Sequence, residues 1–274
     1  MSYRLPQDPL SRFLDDCRQA FAPLHHPPGA QTRVGCALAL VVDEWEGLHD
    51  LARLATHVDL LSFSPRRRGF GVARTAALQE AALTGAPWCV LVDADGQHAP
   101  HAIADMLAEV ERSDWHAAIP QRTLIHLPLE DEGGIDRVLA EAFEAWVVAR
   151  AAGRPHDGQR DLQPGVFVLG PEAAAVVLRG ARARRYEWDL EAAYNLLGSG
   201  LRIGFPEVAS RPQTVTWFNT LDSCANLRFL ADLKGSDGVR AELDAFQRLD
   251  WVANRFSALA LANLRAHLEE ALAS

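Results

Sequence analysis

Apolar residues along this chain come in two patterns. Short, nearly unbroken runs occupy positions 34–42, 58–63, 88–92, 165–169 and 201–205. Runs of that length, bounded by charged residues, Gly or Pro, predict strands, and an almost wholly apolar one such as 34–42 predicts burial on both faces. Between them, apolar residues recur at helical spacing over 10–21, 46–57, 72–83, 135–152, 171–178 and 186–197. Pro100 opens a further helix, whose buried stripe is Ile103, Met106, Leu107 and Val110. A short strand is expected at 117–120, and polar loops at 127–134 and 153–163. Strands alternating with helices at this spacing predict an α/β fold with a mostly parallel sheet flanked by helices. From Asn226 the chain reads as helical to its end, with apolar positions Val252, Phe256, Leu259, Leu264 and Leu268. The expected organisation is a domain over 1–225 and a helical extension over 226–274, which serves packing or homo-oligomerisation.

Chemistry concentrates where the third strand stops, at Val92-Asp93-Ala94-Asp95-Gly96-Gln97-His98. In extended chain, side chains at i and i+2 point the same way, so Asp93 and Asp95 can present two carboxylates to one point. Hard divalent cations take oxygen ligands and share them with phosphates. The strand ends of an open α/β sheet are where such ligands bind. The competing reading is an ordinary turn, which Asp and Gly also favour. Upstream lies a basic, glycine-containing loop, Arg66-Arg67-Arg68-Gly69-Phe70-Gly71. Its arginines suit phosphate, helped by N–H groups at the start of the following helix; a solvated loop is the alternative, favoured for Arg66 and Arg67. Gly69 and Gly71 suit a tight approach of backbone or ligand. Arg74, one turn into the helix, faces either the same site or solvent. His98 and His101 have no further N or S ligands near them in sequence for a zinc site, and read as structural.

Net charge narrows the options. The 274 residues carry a formal charge of −9, which argues against nonspecific nucleic-acid binding. Cys17, Cys36, Cys89 and Cys224 are scattered, with no C-x-x-C; Cys36 and Cys89 sit in apolar runs and read as buried thiols, fitting a reducing cytoplasm. No secretory signal and no uninterrupted span of bilayer length is visible, which leaves peripheral contact with a membrane open.

Taken together, the stretch 66–100, RRRGFGVARTAALQEAALTGAPWCVLVDADGQHAP, resembles the family 2 glycosyltransferases. It looks closest to their polyprenyl-phosphate (dolichol-phosphate) sugar transferases. The order is the family's: basic Gly-x-Gly loop, Ala-rich helix, apolar strand, Asp-Ala-Asp-x-Gln-His. Arg160-Asp161-Leu162-Gln163-Pro164-Gly165-Val166-Phe167 is similar to the family's Asp-Leu-x-x-Gly-Phe segment, and Tyr186-Glu187-Trp188-Asp189-Leu190-Glu191 to its acidic helix, with Arg211 where an arginine often follows. The likeness covers 34–211. Two departures stand out: the second strand ends Asp43-Glu44-Trp45-Glu46 rather than Asp-Asp-Gly-Ser, and residues 3–8 carry no apolar opening strand.

The resemblance implies a GT-A (Rossmann-like) fold and an inverting, metal-dependent glycosyltransferase. It implies a nucleotide-sugar donor bound by Asp43, Glu44, Arg68, Gly69, Gly71, Arg74, Asp93, Gln97 and Arg211. Mg²⁺ or Mn²⁺ would be held by Asp93, Asp95 and Gln97. Asp189 and Glu191 fall at the family's acidic positions, one of them a base toward an acceptor hydroxyl; an exposed face of an amphipathic helix is the alternative for both. Asp161 would orient the acceptor, which is a polyprenyl phosphate or a small molecule. Other classes remain in view: a sugar nucleotidyltransferase, or a degenerate domain kept for binding or assembly.

Overall fold

The computed structural model describes residues 7–21, 37–43, 52–64, 66, 68–94, 96–122, 136–154, 160–210 and 220–273. The first half runs α1 (Gln7–Phe21), β1 (Ala39–Asp43), β2 (Leu60–Ser64), α2 (Phe70–Leu83), β3 (Cys89–Val92), α3 (Pro100–Arg112), β4 (Ala117–Ala118) and β5 (Gln121–Arg122). Then follow α4 (Arg137–Ala151), β6 (Val166–Leu169), α5 (Pro171–Gly180), α6 (Glu187–Gly198), β7 (Ile203–Gly204) and β8 (Glu207–Val208). Four helices close the order: α7 (Thr220–Lys234), α8 (Ser236–Phe246), α9 (Asp250–Arg255) and α10 (Ala258–Ala273).

All four residues of β6 are buried, and the central sheet is built around it in the order β3-β6-β4-β7. β6 is antiparallel to both neighbours, with Val92 opposite Val166 and Ala117 opposite Leu169, while β4 and β7 run parallel. Two-stranded parallel sheets, β1-β2 and β5-β8, flank it. Bonds from Ile119 N to Gly204 O and from Gln121 N to Pro206 O carry the β4–β7 pairing on into β5–β8. The expected mostly parallel sheet is therefore corrected to small mixed sheets in a helix-rich α/β fold. An unbroken apolar run reports burial on both faces and carries no strand direction. Direction here is set by the 160–165 segment, which enters β6 from the end where β3 stops.

Alternation along β6 divides the core. Phe167 and Leu169 pack with Phe143 and Trp146 of α4, Trp188 and Leu190 of α6 and the C-terminal helices. Val166 and Val168 pack on the opposite face with Ile103, Met106, Leu107 and Val110 of α3, the stripe expected from spacing. β1 departs from expectation: Leu40 and Val42 are buried in a small cluster with Leu10 and Leu14 of α1, but Ala39 is exposed, so burial is one-sided. A boundary at 225/226 falls inside α7, and α7 to α10 share the main core through Leu227, Leu243, Phe246, Val252 and Leu268. Leu259 is 70% exposed and contributes no core contact. Cys17 and Cys224 are buried free thiols, whereas Cys89, expected to be buried, is half-buried, and burial pushes its thiol up to about 12. Cys36, the expected helix at its 46–51 part and the 127–134 loop lie outside the described residues. Among the described residues no helix is long and apolar enough to cross a membrane.

α2 begins at Phe70, two residues earlier than spacing predicts, because its start is docked on the backbone before α6. Gly71 N donates to Arg184 O at 3.0 Å. A Cβ at Gly71 would stand 2.5 Å from Ala183 O and 2.9 Å from Arg184 C. Gly69 has φ +114°, and a Cβ there would strike Arg184 O. Phe70 between them stacks on Tyr186 with ring centroids 4.6 Å apart. Gly71→Ala should lower the urea-unfolding free energy by about 1–3 kcal/mol, the usual cost of overpacking. Gly198→Ala, at an open position on α6 with nothing within 4 Å, should be neutral or slightly stabilising. Equal midpoints for the two variants would contradict the docking.

Candidate active site

The site forms around Arg74, one turn into α2 and only 6% exposed. One terminal nitrogen, Nη2, donates to Asp93 Oδ1 at 2.7 Å and to Gly165 O at 2.8 Å. The other, Nη1, lies 3.7 Å from Asp189 Oδ1. Phe70 and Trp188 flank the guanidinium, with ring centroids 4.8 and 5.5 Å from its carbon. Trp188 is itself fixed by an Nε1–H bond of 2.9 Å to Thr75 Oγ1. Asp93 is the first residue past β3, and its N–H extends the ladder to Gly165 O at 3.0 Å. Gly165 has φ +72°, and a Cβ there would come within 2.9 Å of Asp93 Oδ2. A larger residue at 165 would thus displace the Asp93 carboxylate.

Asp189 sits in the first turn of α6 and is buried. Burial pushes its carboxyl up to about 7. Arg74 and Arg122 oppose that rise, while the charges of Asp93 and Asp161 reinforce it. Arg122 connects the layer behind: its Nε donates to Asp161 and its Nη2 to Glu141 Oε2 at 3.1 Å, and Arg137 holds Glu141 Oε1 at 2.7 Å. Burial alone would lower the Arg122 pKa; the carboxylates of Asp161 and Glu141 outweigh it and hold the guanidinium charged. Burial likewise works to raise the Glu141 carboxyl, and Arg137 and Arg122 hold it below its usual range. Asp161 is further engaged, its Oδ1 accepting from Gln163 N at 2.9 Å and its backbone pairing both ways with the Gln121 amide at 2.9 and 3.0 Å. His98 is 1% exposed and its Nε2 contacts Pro164 O at 2.7 Å, the structural role expected of it.

At the rim, carboxylates occupy the backbone N–H groups of the arginine-bearing loops. Asp43 accepts from Arg68 N at 2.8 Å and Gly69 N at 2.7 Å. Glu191 Oε2 accepts from Arg182 N at 2.7 Å and Ala183 N at 2.9 Å, and Glu187 Oε1 from Arg184 N at 3.0 Å and Arg185 N at 3.2 Å. The N–H groups of Arg68, Gly69 and Gly71, at the entry to α2, are already taken by Asp43 and Arg184 O. What the loops offer an anion is guanidinium. Arg66, Arg68, Arg182, Arg184 and Arg185 are all exposed.

The structure thus brings Arg74, Asp93, Asp161 and Asp189 together, and gives Asp43 and Glu191 the task of holding loops. Gln97 is half-buried, four residues past Asp93. Glu44, Asp95 and Arg211 lie outside the described residues. Among the described residues, no group of three or more His, Cys, Asp or Glu stands where it could hold a metal ion. Sequence pattern does not single out Arg122 or the Arg182-Ala183-Arg184-Arg185 run. A cluster of three arginines immediately before an acidic helix is the available signal for the second; nothing local marks the first.

Residues 56–144 match the family model described as Glycosyl transferase family 2, a stretch covering about a third of the chain and including Arg74, Asp93 and Arg122. This supports a glycosyl transfer function. No curated protein matches the chain.

Because Asp189 holds its proton up to about 7 when folded but loses it near 3.8 in an ordinary setting, the folded state binds more protons between those values. Stability contributed by this group is present below about pH 4 and is lost as pH rises toward 7. The urea midpoint of Asp189→Asn should therefore gain on that of wild type between about pH 4 and 7. A constant difference across that range would show that the carboxyl is not perturbed.

Proposed function

We propose that the chain is an inverting, metal-dependent glycosyltransferase with a GT-A fold, taking a nucleotide-sugar donor and a hydroxyl acceptor. The observation that carries this reading is Asp189: a buried carboxyl poised near neutrality and placed across Arg74 from the Asp93 strand end. A general base works best with a pKa near the operating pH. An acceptor that is already a phosphate needs no base, so a poised one favours a hydroxyl over a polyprenyl phosphate.

Asp189 takes the acceptor proton as the acceptor oxygen bonds to the anomeric carbon and the nucleoside diphosphate departs from the opposite face. Arg74 fixes the Asp189 carboxylate relative to Asp93 and keeps the charge balance that lets it ionise near neutral pH. Asp161, with Arg122, holds the segment that carries the Gly165 carbonyl. Arg66, Arg68 and Arg184 receive the negative charge of the diphosphate. Asp93 keeps one carboxylate oxygen, Oδ2, outside the Arg74 pair. Mg²⁺ and its relatives bind through one or two carboxylates and complete their shell with water and phosphate, so this oxygen suits such an ion, with Asp95 and Gln97 the further ligands that the family resemblance implies. When bound, the ion would stabilise the charge on the departing diphosphate.

UDP-glucose, GDP-mannose and dTDP-glucose, each with Mn²⁺ or Mg²⁺, form the first test, read as hydrolysis or transfer. Wild type should turn over one of them, with a rate that rises with pH through about 7 as Asp189 ionises. Asp189→Asn should lower that rate by roughly a hundredfold or more. Asp95→Ala should remove the Mn²⁺-dependent thermal shift given by the nucleoside diphosphate. No turnover together with no diphosphate-induced shift in melting temperature would overturn the assignment.

A further inference from the structure

Gln163 lies between Asp161 and Gly165, and its side-chain amide is gripped at both ends by residues far away in sequence. Its Nε2 donates to Glu144 Oε2 at 2.7 Å, and its Oε1 accepts from Asn226 Nδ2 at 3.1 Å. Asn226 Nδ2 also donates to Glu144 Oε2 at 2.9 Å, which closes the triangle. Glu144 on α4 and Asn226 on α7 are both fully buried. Burial pushes the Glu144 carboxyl up to about 8, against the two amide donors. A polar triangle in this place is costly for packing alone, since apolar side chains of similar volume need no desolvation.

What the triangle holds is the segment on which the site is assembled. Its other fastenings come from the sheet side: Gln121 and Arg122 on Asp161, His98 on Pro164, Arg74 and Asp93 N on Gly165 O. Among the described residues, the triangle supplies the side-chain hydrogen bonds that tie it to α4 and α7, where Leu162 also packs into the main core. We propose that Glu144 and Asn226 are positioning residues, gripping Gln163 so that the 160–165 segment presents Asp161 to Arg122 and the Gly165 carbonyl to Arg74. The C-terminal helices are then a working part of the site. The consequence for catalysis rests on the transferase reading above; the grip itself does not.

Backbone amide exchange of the full chain, followed by mass spectrometry, separates the two. Glu144→Ala, Asn226→Ala and Gln163→Ala should each speed exchange across 160–165 by at least about tenfold, with β6 and α4 unchanged. Gln163→Ala is the variant that guards against simple unfolding, because Asn226 still pairs with Glu144 and the melting temperature should hold. Glu144→Gln, whose amide oxygen accepts the same two donors, should restore wild-type exchange. On whichever of UDP-glucose, GDP-mannose or dTDP-glucose wild type turns over, Gln163→Ala should lower kcat about tenfold with donor KM within twofold. Unchanged exchange in Gln163→Ala and Asn226→Ala, or Glu144→Gln as disruptive as Glu144→Ala, would overturn the proposal. Absent turnover by wild type would sink the transferase reading, while the exchange rates would still decide the grip.

Discussion

A single guanidinium decides where the rest of this site can be. Arg74 is buried between two aromatic faces, and a charge there is tolerable only if its partners are fixed around it. Asp93 and Asp189 come from elements nearly a hundred residues apart, and Gly165 O from a third. Lysine would not substitute: it offers one compact charge, whereas the planar fork reaches Asp93 and Gly165 with one nitrogen and Asp189 with the other. Its flat faces also meet Phe70 and Trp188, which an ammonium would not cover. Removing one partner from such a buried set typically costs 3–5 kcal/mol, so strand end, loop and helix are held in one arrangement.

Around that centre the loops are fastened by acids acting on backbone. Asp43, Glu187 and Glu191 each accept two successive N–H groups, all from arginine-bearing stretches. Each carboxylate satisfies donors that a loop near the surface would otherwise leave to water. Gly69 and Gly71 then let the two loops touch, backbone on backbone. The result is a rim whose amides are spoken for and whose guanidiniums are exposed. An anion arriving there meets delocalised charge on flexible stems rather than a fixed amide cradle.

Much of this is legible in the order of residues alone. The run from Gly69 to His98 sets out loop, helix, strand and acidic end in sequence, and α3 buries the stripe its spacing predicts. Pro100 marks the start of α3 correctly because proline acts locally. Strand direction in β6 is not legible, since apolarity is blind to direction. Nor is the role of Arg74: an arginine on an alanine-rich helix reads equally as solvated until Phe70 and Trp188 are seen to cover it. Glu191 and Asp189 have the same residue chemistry two positions apart, yet one faces loop N–H groups and the other a guanidinium. Only the packing of α6 tells them apart.

That packing also explains why Asp189 is poised rather than merely charged. Two cations, Arg74 and Arg122, and two anions, Asp93 and Asp161, act on it in opposition. Desolvation by burial is the largest influence of all, and it raises the carboxyl. Desolvation here is a property of the main core: Trp188 and Leu190 on either side are fully buried against β6 and α4. The same core contains Leu227, Leu243 and Leu268 of the C-terminal helices. The residues that bury Asp189 thus belong to the same core as the C-terminal helices. The helices expected to serve packing do pack, and they do so in the core on which α6 and its Asp189 are seated.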